Sequence, residues 1–209
     1  MVIYNSEFVW LHVPKCAGTK IENLFKKYFS HEDGLFQDPV VPKNDLSCPW
    51  HNSTSDREAS DPEFKLDGRT VICSFRRLPS WLESRYNFEV QRNPHLPHNP
   101  ELLFEGKFLE ANGYVGHADY YAKKYLPETI LKTGKVRFLR TEFFETDFKL
   151  IFGDFLPISR IPDWELKKKV NISKSSLPPH IKEQLYGQKK VYEKCPYWRS
   201  VEEMAYGSL

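Results

Sequence analysis

An α/β architecture is expected from this chain, with a central and mainly parallel sheet flanked by helices in three layers. Two features carry that expectation. Two apolar, β-rich runs, residues 8–13 and 69–75, each lead straight into a stretch with helical spacing. A third run, residues 135–140, is likewise followed by an apolar helical stretch. Strands that alternate with helices in this way build a parallel sheet. No internal repeat or low-complexity linker divides the 209 residues, so residues 1–209 are expected to form one domain with a sizeable core.

The first strand–helix unit is the most informative. Phe8, Val9, Trp10, Leu11 and Val13 form a run with apolar residues on both faces, as a doubly covered strand has. Pro14 cannot donate to a ladder and closes it. Ala17 and Gly18 are small enough for a tight turn and for close approach to a ligand. Ile21, Leu24, Phe25 and Tyr28 then recur at helical spacing, so a helix begins at Gly18 or Thr19. The unpaired amides of a helix start, with the dipole, attract anions, and Lys15 adds a full positive charge. The stretch therefore reads as a phosphate-holding loop, against the plainer reading of an ordinary connection with a solvated lysine. It is not the nucleoside-triphosphate loop, which places Lys-Ser/Thr after its last Gly. Here Lys15 precedes Gly18, and Gly18-Thr19-Lys20 reverses the order. No acidic residue is placed for Mg²⁺, so no metal is expected.

Residues 29–67 are irregular, broken by Pro39, Pro42 and Pro49, with a short strand expected at Val40-Val41 and a polar surface loop over residues 53–61. Long irregular segments in small domains often carry function. This one contains Cys48-Pro49-Trp50-His51-Asn52-Ser53. Residues 69–75 read as a central parallel strand, followed by Arg76-Arg77-Leu78-Pro79, with Pro79 in the first turn of a helix. Residues 87–100 read as loop; His95 and His98 lack partners at metal-ligand spacing. A short helix is expected over residues 102–109. Tyr114, Val115, Ala118, Tyr121, Ala122 and Tyr125 fit one further helix, closed by Pro127. Residues 135–140 alternate charged and apolar, as an edge or half-covered strand does. Residues 141–152 read as a helix or helix pair and 156–169 as loop. Pro178-Pro179 opens a last helix with Ile181, Leu185 and Tyr192 on one face.

The net charge of +2 gives no strong pull towards nucleic acid or acidic membranes. No apolar run reaches membrane-spanning length, and no secretory signal is visible. Cys16, Cys48, Cys73 and Cys195 lack metal or disulfide spacing and read as reduced thiols.

His12-Val13-Pro14-Lys15-Cys16-Ala17-Gly18-Thr19 resembles the 5′-phosphosulfate loop of sulfotransferases that use 3′-phosphoadenosine-5′-phosphosulfate (PAPS). It is most similar to the carbohydrate branch, of the Golgi and 2-O type, whose loop reads Pro-Lys-Thr/Cys-Ala-Gly-Thr-Ser. The family's 3′-phosphate motif, an Arg at a strand end and a Ser eight residues on, is matched by Arg76 and Ser84, with Tyr86 as the usual aromatic. Arg77-Leu78 depart from the family's Asp/Asn-Pro, and Trp81 stands where a second Arg is common. Val170-Asn171-Ile172-Ser173-Lys174 looks like the family's late Asn-x-Ser element, and Glu142 like its structural acidic residue.

The resemblance implies a P-loop-like fold and metal-independent transfer of a sulfuryl group from PAPS to a hydroxyl or amine of a carbohydrate or small molecule. It implies that Lys15 acts on the bridging oxygen and that Lys15, Cys16, Ala17, Gly18, Thr19 and Lys20 surround the 5′-phosphosulfate. Arg76, Ser84 and Lys174 would take the 3′-phosphate. His51, with His31 as the fallback, would be the base. The expected partner is a glycan or small-molecule acceptor, not nucleic acid, and the expected location is cytoplasmic. Two other classes share the layout: a small-molecule kinase of the P-loop type, and a nucleotide- or glycan-binding module without chemistry.

Overall fold

The computed structural model describes residues 2–38, 51–168, 175–187 and 189–207. In chain order its elements are β1 (Val2–Tyr4), β2 (Phe8–Leu11), α1 (Gly18–Tyr28), β3 (Phe36–Gln37), α2 (Thr54–Ser60), β4 (Thr70–Phe75), α3 (Leu78–Arg92), β5 (Lys107–Leu109), β6 (Val115–His117), α4 (Ala118–Tyr125), α5 (Glu128–Leu131), β7 (Val136–Arg140), α6 (Phe144–Phe152), α7 (Asp163–Lys167), α8 (Pro179–Gly187), α9 (Lys190–Lys194) and α10 (Pro196–Tyr206). The chain forms two units, Met1–Phe75 with Tyr125–Val170, and Arg76–Lys124 with Asn171–Leu209.

The first unit is mixed α/β and carries a five-stranded sheet in the order β3-β1-β2-β4-β7. β2, β4 and β7 run parallel, in the register Leu11↔Cys73 and Cys73↔Phe138. β1 and β3 are antiparallel to their neighbours, so the sheet is mixed rather than mainly parallel. The antiparallel part arises from residues 2–4, which precede the run that the apolar pattern marks as the first strand. They fold back as a hairpin because Asn5 Oδ1 accepts from the amides of Glu7 and Phe8 at 2.8 and 2.9 Å, an Asx turn.

One face of the sheet offers Ile3, Phe8, Trp10, Ile72 and Leu139 to a core that includes Ile21, Leu24 and Phe25 of α1 and Phe144, Phe148 and Phe152 of α6. The Phe8–Phe152 and Phe25–Phe152 rings meet edge-on at 5.7 and 5.1 Å. Such pairs add about 0.5–1.5 kcal/mol each beyond area burial. β4 lies inside the sheet and β7 at its edge, as their sequence patterns predict.

β2 stops at Leu11, two residues before the expected end, because Val13 N–H turns back onto the Leu11 carbonyl at 3.1 Å. Residues 54–60 are helix rather than surface loop. The Ser53 hydroxyl accepts from the Asp56 amide at 3.2 Å and Asp56 accepts from the Ser53 amide at 2.9 Å, a reciprocal capping box. A short helix, α7, also falls within the expected loop over residues 156–169. The strand expected at Val40-Val41 lies outside the described residues.

In the second unit α3 runs to Arg92, well into the expected loop. Residues 102–109 divide between a 3₁₀ turn, Pro100–Glu105, and β5. β6 pairs with β5 around Phe108↔Gly116, so Tyr114 and Val115 belong to a hairpin and not to α4. Gly113, at φ 80°, supplies its turn, and a Cβ on Gly116 would lie 2.8 Å from the Phe108 ring. Three short helices replace the single one expected at the C-terminal end, with Trp198 of α10 packed against Trp81 at 4.5 Å.

Candidate functional site

The turn between β2 and α1 has an unusual backbone. Lys15 and Ala17 lie in the left-handed region, at φ 66° and 64°, whereas Cys16 and Gly18 do not. Alternation of this kind turns successive amides into one concavity, a shape suited to an anion. A non-glycine residue in that region costs about 1–2 kcal/mol, so the fold holds two strained residues close together. α1 then begins at Gly18 with no side-chain cap and no acidic residue in its first turn. The amides of Gly18 and Thr19 meet no acceptor among the described residues, and Thr19 is exposed. Lys15 is half-buried beside them.

His12 is built into this turn. A Cβ on Gly18 would lie 1.9 Å from His12 Nε2, so the imidazole occupies the space that any other residue at 18 would need. The ring stacks on Trp10 at 5.6 Å and 18°. Its Nδ1 lies 2.8 Å from Glu22 Oε1, with the His12 side chain 11% exposed. Burial pushes the imidazole below its ordinary value of 6.5; the contact with Glu22 opposes this and the charge of Lys15 adds to it. Burial pushes the Glu22 carboxyl up most strongly, but the His12 contact, with Lys26 and the other nearby charge added to it, leaves the group below its ordinary value.

His51 joins the same cluster. Its ring meets His12 at 4.8 Å and 60°, its Nδ1 is 3.4 Å from the His12 carbonyl, and its own carbonyl accepts from Tyr125 Oη at 2.9 Å. The structure thus brings Lys15, Cys16, Ala17, Gly18, Thr19 and His51 together around His12. Cys16 is fully buried, and its amide donates to the Val13 carbonyl at 3.2 Å. Burial pushes the neighbouring Cys73 thiol well up, with Cys16 adding to the effect. Cys16, Cys73 and Cys195 are buried and form no disulfide among the described residues. Lys20 turns elsewhere: its ammonium donates to the Leu166 carbonyl and sits 3.9 Å over the Phe144 ring. His31 is exposed in the turn after α1.

Arg76 and Ser84 belong to the second unit, both half-buried. The start of α3 there is occupied by the protein itself. Glu202, fully buried on α10, accepts from the Leu78 amide at 2.8 Å, from Tyr192 Oη at 2.9 Å and from Arg77 at 3.3 Å. Beside Ser84, Glu83 accepts from Ser175 Oγ at 2.8 Å and Lys182 Nζ at 2.7 Å, and Asn87 accepts from the Ser176 amide at 2.7 Å. Lys174 lies outside the described residues.

His12 and Glu22 are the residues of this cluster that motif reading missed. Their signal was geometric: His12 shares the strand face of Trp10, and Glu22 stands one helical turn beyond Gly18. Among the described residues, no group of His, Cys, Asp and Glu is placed to hold a metal ion. No described helix is long and apolar enough to cross a membrane. No protein-family model matches the chain, and neither does any curated protein or any solved structure.

Proposed function

We propose that this protein is a PAPS-dependent sulfotransferase on a P-loop-like, three-layer fold, acting on a hydroxyl or amine of a carbohydrate or small molecule. The observation that supports it most is the alternating backbone of residues 15–18, set on an uncapped helix start beside Lys15. Those groups suit a phosphate: the amides of a helix start attract an anion, and no carboxylate of the first turn competes.

In this reading the amides of Ala17, Gly18 and Thr19 and the Thr19 hydroxyl hold the 5′-phosphate. Lys15 stabilises the negative charge that gathers on the phosphate oxygen as its bond to sulfur breaks and the acceptor's bond to sulfur forms. His51 takes the acceptor proton. Positioning and charge stabilisation then supply most of the rate, as in phosphoryl transfer. Arg76, Ser84 and Lys174 are assigned to the 3′-phosphate through the sequence resemblance, and a carbohydrate acceptor through the branch it resembles.

The test is transfer of labelled sulfate from PAPS to a panel of sugar and small-molecule acceptors, run beside thermal shifts with PAPS and with Mg-ATP. Transfer with stabilisation by PAPS supports the reading. Stabilisation by Mg-ATP alone selects the kinase, and PAPS binding without transfer to any acceptor selects a binding module.

A further inference from the structure

We propose that His12 takes up a proton when the loop of residues 15–18 binds the anionic end of a nucleotide, its Nε2 becoming a cationic ligand of that anion while Glu22 holds Nδ1. The inference rests on the function proposed above and deepens it by adding a ligand and a pH dependence.

Three observations carry it. The His12 side chain is 11% exposed and fixed on both sides, by the stack on Trp10 and the 2.8 Å approach of Glu22 Oε1 to Nδ1. Nε2 is the ring atom nearest to where a Gly18 Cβ would be, so it lies against the first residue of the helix that closes the concavity. No group among the described residues bonds that Nε2. A polar atom is therefore held at the anion-attracting end of α1 without a partner among those residues.

The charges that act on the ring set the direction of the effect. Glu22 favours the imidazolium, while burial and Lys15 favour the neutral ring. His51 meets the ring edge-on. An arriving phosphate adds negative charge on the Nε2 side and tips this balance towards the imidazolium. By linkage, the nucleotide then binds more tightly as pH falls through the interval between the imidazole's midpoints in the complex and in the unliganded protein, up to ~10-fold per pH unit. Glu22 also acquires a role beyond packing, since it orients Nδ1 and supports the charge.

The experiment is calorimetric titration of the full chain with 3′,5′-adenosine bisphosphate at pH 6.5 in two buffers of different ionisation enthalpy. Wild type is expected to take up about half a proton more than His12→Gln; the difference cancels the nucleotide's own phosphate protons. Glu22→Gln, which preserves shape, is expected to move the pH dependence of binding to lower pH. Histidine NMR on wild type needs no variant: the His12 titration midpoint should rise by about one pH unit or more on saturation. Equal proton uptake in wild type and His12→Gln overturns the proposal, as does a His12 titration unmoved by nucleotide. Uptake lost in His51→Ala but kept in His12→Gln overturns it in favour of His51. Binding without extra protons leaves the proposed function standing, whereas no binding by wild type overturns both.

Discussion

The starts of α1 and α3 meet the same electrostatic problem in opposite ways. Each follows a strand of the sheet, and each exposes backbone amides at the positive end of a dipole. At α3 the fold supplies its own anion, the fully buried carboxylate of Glu202, and adds Arg77 and Tyr192 around it. α10 is treated likewise, with Asp119 accepting from the amides of Tyr197 and Trp198 at 3.1 and 2.7 Å. At α1 no carboxylate of its first turn arrives; instead two residues are held in the left-handed region and a lysine stands beside the opening. One helix start is completed by the chain and stabilises it. The other holds two residues in the left-handed region, which is the strain expected of the binding loop proposed above.

Substitutions that treat the two starts alike should therefore have unlike consequences. The largest effect is expected on chemistry: Lys15→Ala should lower sulfuryl transfer about 10³-fold while urea unfolding shifts by less than about 0.5 kcal/mol. A variant that keeps wild-type turnover would remove Lys15 from the mechanism. At the other helix, Glu202→Ala should destabilise the protein by about 3 kcal/mol, because it strands buried donors, and Glu202→Gln by less. A change under about 0.5 kcal/mol for the alanine variant would erase the contrast.

A smaller effect concerns acid. His12 is held below 6.5, so between that value and its folded value the unfolded chain binds more protons, and stability is lost as pH falls through this window. Glu22, also depressed, contributes stability above its ordinary value of 4.5 that is lost as pH falls through its folded value. Urea unfolding at pH 7.5 and 5.0 should show wild type losing more stability than His12→Gln. The excess is at most about 1.4 kcal/mol for each pH unit that separates the folded and unfolded midpoints of His12. The smallest expected effect is at Ala17. Ala17→Gly should stabilise by about 0.5–1 kcal/mol, since glycine accepts φ 64° without strain. Destabilisation there would mean that the loop is not strained.

Much of the loop was legible because its chemistry is local. Lys15, Gly18 and the helix from Gly18 follow from a strand that ends, small residues that turn and an apolar period that begins. The role of Gly18 was only half legible. Its smallness is plain from the residue type, but the ring it accommodates comes from His12, back along the chain. Glu202 was hidden altogether, because its partner Leu78 lies 124 positions away and no local pattern links them. Errors fell where two periods compete. Tyr114 and Val115 fit a helix until Gly113 and Gly116 close a hairpin, and residues 53–60 looked like loop because their capping box opens a polar helix. The early antiparallel strands were missed because residues 2–4 are too few to show a period.

The contrast between the two helix starts is tested most directly by the structure of a complex with 3′,5′-adenosine bisphosphate. The 5′-phosphate is expected within hydrogen-bond distance of the Gly18 and Thr19 amides, with Lys15 turned towards it and Glu202 still on the Leu78 amide. A nucleotide bound away from residues 15–19, or a phosphate that displaces Glu202 at α3, would contradict that contrast.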